Sequence, residues 1–367
     1  MWVALLVVAV LGTEAAQARQ VVDLAGRKVT VPDKVERIVL GEGRFLQALA
    51  IVEREDPLKR VVGTMGEFAM LDPGSYARWQ ARFPRLAEIP SVGKSSGDTF
   101  SVEQAIALSP QVAVFGLAGH GPGPQEREVL DRLEAAGIAV IFVDFFRDPL
   151  LNAPGSVALL GELLGREREA AEYVSAFETE LRRVTERLAT VQDRPLVFLE
   201  NRVGLQDDCC ASVGDGMVGR MIERAGGRNL GSNLIPGTAG TLSLEYLLTN
   251  QPDIYVGTAI GSVFTMDRMP NRVVAGAGVP AETARASFAR SLSRPGIRDL
   301  DAVRQGRAHT LWHHFFHSPF NVVALQVMAK WFHPRLFDDL DPAATLKSMQ
   351  TRFQPPDLAG TYWLDAP

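Results

Sequence analysis

Residues 111–144 read QVAVFGLAGHGPGPQEREVLDRLEAAGIAVIFVD. The unbroken apolar run in Gln111–Gly116 predicts a short strand buried on both faces. Between Gln125 and Ala136, Val129, Leu130 and Leu133 recur at helical spacing, with Gly137 placed to cap the helix C-terminus. Gly137–Asp144 is a second apolar run. A strand, an amphipathic helix and another buried strand specify a parallel sheet with helices on its faces. Upstream, Arg37–Leu40 and Arg60–Gly63 read as further strands of the same kind. Downstream, from about Gly155 to Val191, Val157, Leu160, Leu163 and Leu164, then Ala171, Val174, Phe177 and Leu181, mark one long helix, broken near Gly165. After Arg194-Pro195 the alternation resumes: strands at Leu196–Leu199, Asp253–Gly257 and Ala308–Trp312, and helices at Gly216–Ala225 and around Ala324–Phe332, before a Pro-rich tail. The expected organisation is a first α/β lobe (19–153), a linking helix (154–192) and a second α/β lobe (193–367).

Composition narrows the class. The chain has 367 residues, 46% of them apolar and 22% charged, which excludes a disordered polymer and exceeds one comfortable core. A formal net charge of −5 does not favour a polyanion partner such as nucleic acid, which calls for a basic face. The only two cysteines, Cys209 and Cys210, are adjacent, so neither a disulfide framework nor a CxxC…CxxC zinc site is available. Their pairing with each other, metal binding and inert thiols all stay open. The apolar stretch WVALLVVAVLG (2–12), followed by Ala16-Gln17-Ala18, is too short to span a bilayer and fits a cleaved secretory signal over 1–18. The mature protein is then expected in an exported compartment, most simply a periplasm.

The two lobes echo each other. Thr99-Phe100-Ser101-Val102-Glu103 leads to Ser109-Pro110-Gln111 and a strand, and Thr241-Leu242-Ser243-Leu244-Glu245 leads at the same spacing to Gln251-Pro252-Asp253 and a strand. In each, a Ser at a helix N-cap satisfies an orphan N–H, and a Glu lies at the positive end of the helix dipole.

These features, with Val22-Asp23-Leu24-Ala25-Gly26-Arg27, Pro32–Val39, Ser101–Val114, Gly137–Val140, Met221–Asn229 and Leu300–His309, resemble the periplasmic substrate-binding proteins of ABC importers for iron–siderophore complexes, haem and vitamin B12. The resemblance covers nearly all of the mature chain and departs from the family pattern at Gln111, where an Asp is usual. It implies two Rossmann-like lobes joined by one stiff helix, a ligand cleft between them and no chemistry of the protein's own. It implies a monomer without a resident cofactor, a metal chelate as ligand, and a two-subunit permease with its ATPase as partner. By position, Glu103 and Glu245 inherit the role of docking one lobe each onto the permease. A ferric siderophore is the expected cargo, with haem or cobalamin as alternatives.

Candidate ligand contacts come from the residues. Arg44 follows the first core strand and Arg202 the corresponding strand of the second lobe, both at C-terminal strand edges, where open α/β sheets bind ligands. Each guanidinium can clamp carboxylate or hydroxamate oxygens. Five of six histidines fall between residues 309 and 333. Among them His313, His314 and His317 interleave with aromatic residues just after a strand, and with Trp312 they form an expected cleft wall for a partly anionic chelate. Tyr76 is a further stacking candidate. The competing class is an exported metal-dependent enzyme built on the His309–His333 cluster. The sequence lacks HExxH and GxSxG, which speaks against it. Gly214–Gly219 spells GxGxxG, but with the nearest expected strand about fifteen residues upstream a dinucleotide site is not expected.

Overall fold

The computed structural model describes residues 18–206 and 208–366. Nearly all of the expected signal segment lies outside the described residues. The first hairpin pairs Ala18–Val22 with Lys28–Pro32. Its turn is organised by the Asp23 carboxylate, which accepts the N–H groups of Ala25 (3.0 Å) and Arg27 (2.9 Å) and the Arg27 guanidinium (3.0 Å).

Each lobe is built on a five-stranded sheet. In the first, the order is Ser91–Gly93, Val61–Met65, Ile38–Leu40, Val112–Gly116, Ala139–Val143, all parallel. In the second, it is Arg228–Asn229, Leu196–Glu200, Ile254–Ala259, Ala308–Trp312, Trp363–Asp365, with only the last strand antiparallel. Both sheets change direction of winding beside the strand that comes first in the chain, Ile38–Leu40 in one and Leu196–Glu200 in the other. A crevice opens at the C-terminal ends of the strands at such a switch point, because successive loops leave in opposite directions.

The linking segment is broken at Gly165 into two helices, Pro149–Leu164 and Glu167–Leu188, and begins five residues earlier than expected. Gly165 ends the first in a left-handed conformation (φ 65°), and the chain folds back so closely that a Cβ on Gly161 would lie 2.5 Å from the Ala170 methyl. The second helix, 22 residues and thus about 33 Å long, packs on Leu46–Glu53 of the first lobe and on Asn321–Phe332 of the second. Its buried Tyr173 donates to the Pro319 carbonyl (2.5 Å), tying the bridge to the segment that follows the histidines. A second tie crosses between the lobes. Asp148, at the start of the first linking helix, accepts both Arg224 nitrogens (2.8 and 3.0 Å) from helix Met217–Arg224, and Arg220 (3.3 Å).

Ser101 and Ser243 cap two six-residue helices, Val102–Ala107 and Leu244–Thr249, through the N–H groups of Gln104 (3.2 Å) and Tyr246 (3.1 Å). The closing tail holds a helix, Pro342–Phe353, and the edge strand Trp363–Asp365 that sequence patterning passes over. The GxGxxG stretch does follow a strand directly, Ala211–Val213, contrary to expectation. That strand belongs to an antiparallel pair with Ala239–Thr241 and not to the parallel sheet, so the dinucleotide arrangement is still missing. Cys209 and Cys210 are joined as a vicinal disulfide, Cys210 fully buried.

Candidate ligand-binding cleft

The first-lobe side of the cleft is set by the turn after Ile38–Leu40. The backbone N–H groups of Gly43 and Arg44 donate to the Glu67 carboxylate (2.9 and 3.1 Å), which fixes the turn from below. Arg44 is 3% exposed and donates to Glu42 (3.1 Å); its two terminal nitrogens meet His314 Nδ1 (3.3 Å) and His120 Nδ1 (2.9 Å). Glu42 also accepts the His120 N–H (2.9 Å). Gly119 allows this: its φ is 139°, and a Cβ there would lie 1.8 Å from a Glu42 oxygen. Burial pushes the Glu42 carboxyl up, but the hydrogen bond from His120 and the Arg44 charge more than offset it and hold it below the ordinary value. Glu67 goes the other way, raised by burial and by the Glu42 charge. One guanidinium is thus held between one ionised carboxylate and one that binds its proton more tightly.

The second-lobe side is set by Thr258, at the end of Ile254–Ala259. Its hydroxyl oxygen accepts the Arg202 N–H (2.6 Å) and meets His313 Nδ1 at 3.2 Å. Arg202 itself is held in a left-handed conformation (φ 55°) that places the loop over the strand ends. His314 Nε2 lies 2.8 Å from the Leu71 carbonyl and must donate to it, so its Nδ1 accepts from Arg44 and the ring is neutral. Burial, helped by the charges of Arg202 and Arg44, pushes His313 down to about 3. Burial and the Arg44 charge hold His314 and His317 well below the usual imidazole value. The His317 ring packs at 4.5 Å on Phe146. Phe146 is presented by a turn whose N–H groups, from Phe146, Arg147 and Asp148, converge on the buried Asp144 carboxylate.

Together these groups enclose a cavity of about 120 Å³ between the lobes, lined by Arg44, His120, Arg202, Arg272, His313, His314 and His317 among others. Three cations face neutral imidazoles. Burial and the adjacent Arg202 charge lower the pKa of Arg272, a repulsion that a bound anion relieves. Among the described residues, no group of three or more His, Cys, Asp or Glu side chains could hold a bare metal ion.

Arg44, Arg202, His313, His314 and His317 all line this one cavity. Trp312 and Tyr76 do not line the cavity. Trp312 is a buried packing residue behind the wall, edge-on to His314 (5.5 Å), Phe315 and Tyr362, and with Gly276 pressed against its ring. Tyr76 packs edge-on against Phe68 instead. His309 stacks on Trp331 and bonds Asp365 (2.8 Å), and His333 bonds the Gly226 carbonyl (3.0 Å), so both are structural. Arg272 escaped the sequence reading because it sits deep in an irregular loop well past its strand. His120, at the C-terminal edge of Val112–Gly116, obeys the same strand-edge rule that marked Arg44.

A two-lobed α/β chain with a charged cleft at facing switch points is the architecture of a solute receptor. The model of the periplasmic binding protein family matches residues 69–311, and the chain belongs to that family. Its members are solute-binding proteins that work with ABC transporter permeases, not enzymes. Among solved structures, the TroA-like periplasmic binding protein FepB of Veillonella parvula is similar over 95% of this chain and 99% of its own, at 24% identity and TM-score 0.84. The molybdate-binding MolA of Haemophilus influenzae is similar over 92% and 100%, at 18% and 0.67. A periplasmic heme binding protein from Pseudomonas aeruginosa is similar over 91% and 98%, at 20% and 0.56. No curated protein matches the chain by sequence. Among the described residues no helix is long and apolar enough to cross a membrane.

Proposed function

We propose that this protein is the receptor of an ABC importer for an anionic metal chelate, with a ferric siderophore complex as the first candidate. The observation that carries the reading is the cleft itself: Arg44, Arg202 and Arg272, from both lobes, converge with neutral imidazoles on one cavity. Such a field repels a bare cation and attracts a metal already wrapped in anionic donors. Neutral imidazoles can donate N–H bonds to chelate oxygens without adding charge. The signal segment 1–18 would deliver the monomer to the periplasm. The enclosed volume, about 120 Å³, favours a second reading, a compact oxyanion, unless the lobes part to admit something larger.

The test is quenching of tryptophan fluorescence, read through Trp312 behind His314, during titration with a ferric tris-catecholate, haem or molybdate. Saturable quenching by the ferric complex is expected. Arg202→Gln and Arg272→Gln should each weaken it about 10- to 100-fold, the worth of a charge-assisted hydrogen bond. Response to molybdate alone would replace the chelate by the oxyanion, and no response to any anion would sink the reading.

Docking follows from the paired caps. Glu103 and Glu245 are both exposed in the first turn of equivalent helices, one per lobe, and Glu103 is held by Arg132 (2.6 Å). We infer that they form a two-point contact with basic pockets of the permease. Glu103→Ala with Glu245→Ala should leave cargo affinity unchanged and abolish cargo-stimulated ATP hydrolysis by the reconstituted importer. Full stimulation with the double variant would refute the contact.

A further inference from the structure

The cleft has a charged floor around the buried Arg44 and an apolar mouth, which the exposed Arg202 also reaches. Met70, 59% exposed on the first lobe, and Leu205, 40% exposed on the second, line the same cavity as the arginines, together with Ile260. The loops that carry them on the second lobe are built against each other. A Cβ on Gly204 would lie 2.0 Å from the Asn271 carbonyl oxygen, and the Val273 N–H points to the Val203 carbonyl. The loop that supplies Arg272 also exposes Phe264 (56%) and Met269 (40%). Large apolar side chains left in water are unremarkable singly, but Met70 and Leu205 sit on the wall of the charged cleft itself, and thioethers adapt to irregular apolar partners.

We propose that this mouth is a subsite for an apolar substituent of the cargo. The transported chelate is then amphipathic: its anionic metal head lies against Arg44, Arg202 and Arg272, and an alkyl or aromatic arm lies across Met70 and Leu205. This rests on the anionic-chelate reading above and narrows it. Continuity with the arginine-lined floor makes the cargo the occupant, since head and arm of one molecule reach both surfaces at once.

The experiment uses the intact protein and two ferric tris-complexes of equal charge, made from N-methyl- and N-octyl-2,3-dihydroxybenzamide, with affinity read by fluorescence quenching. The octyl complex is expected to bind at least tenfold tighter. Met70→Ser with Leu205→Ser should erase that advantage, bringing the ratio of octyl to methyl affinity down to about one. Leu336→Ser, at an exposed leucine away from the cleft, should keep it. Equal binding of the two complexes, or an octyl preference that survives the double variant, overturns the subsite. Failure of both complexes to bind removes the anionic-chelate reading itself. If the octyl preference is absent and the double variant instead lowers stimulation of the importer's ATPase, the mouth is a permease contact and the proposal is wrong.

Discussion

Arg44→Met is expected to cost about 3–5 kcal/mol of stability and to abolish cargo binding. The stability loss does not come from a weak surface pair. Arg44 and both its carboxylate neighbours, Glu42 and Glu67, are buried, with side-chain exposures of 3%, 6% and 0%. Removing the guanidinium strands the Glu42 charge in a low-dielectric site and takes away the donor that meets His120 and His314. Lysine at this position is a poor substitute, since one ammonium cannot serve Glu42, His120 and His314 from a planar fork. Chemical denaturation of the wild type, Arg44→Met, and Arg44→Met combined with Glu42→Gln and Glu67→Gln separates the two effects. The triple variant should regain most of the stability and none of the affinity. A single variant as stable as the wild type would show that the carboxylates find water or another partner.

Stability should fall steeply as pH drops from 7.5 towards 5. His313 titrates near 3 in the folded protein, and His314 and His317 well below the ordinary value, whereas all three titrate near 6.5 when unfolded. Between those limits the unfolded chain binds protons that the folded chain refuses, so the equilibrium shifts towards unfolding as pH falls. For His313 the contribution is complete above about pH 6.5 and is lost through the window down to about 3. At pH 5.5 His313 costs up to about 1.4 kcal/mol, and His314 and His317 lower stability and Tm in the same direction. Glu67 works in the opposite sense, because its raised pKa lets the folded state take a proton first. Glu42, with a lowered pKa, adds to the loss only further into the acid range. Thermal unfolding at pH 7.5 and 5.5 should show the drop in the wild type and a much flatter response in His313→Gln/His314→Asn/His317→Asn. Parallel slopes for the two proteins would mean that these rings are protonated in the fold.

Much of the fold was legible because burial on both faces leaves strands as continuous apolar runs. Ile38–Leu40, Val112–Gly116, Ala139–Val143, Leu196–Glu200 and Ala308–Trp312 all lie where patterning put them. The tail was not legible in this way. Trp363–Asp365 is two half-exposed residues and one exposed one at an edge, and its strand character comes from pairing with Ala308–Trp312. The sign of a site was legible where a polar residue followed a core strand, as Arg44, Arg202 and His313 do, although His120, which obeys the same rule, was passed over. It failed for Trp312, because an aromatic residue in an apolar setting is stabilised equally well by a cleft ligand or by Phe315 and Tyr362 behind it.

The sequence by itself determined the two α/β lobes, the helical link and the capped Ser-x-Glu pair, since each depends on local periodicity and turn chemistry. Only the tertiary structure decided that His120 joins the three histidines the sequence had marked, and what holds the other two. His309 and His333 are consumed by Asp365, Trp331 and the Gly226 carbonyl, whereas His120, remote in sequence, joins His313, His314 and His317. Arg272 reaches the cavity only because its loop folds back over the loop of Arg202. The physical reason is the same in each case. Strand and helix signals are carried by neighbours a few residues apart, but the charge and protonation of a cleft are set by side chains that the sheets bring together from both lobes.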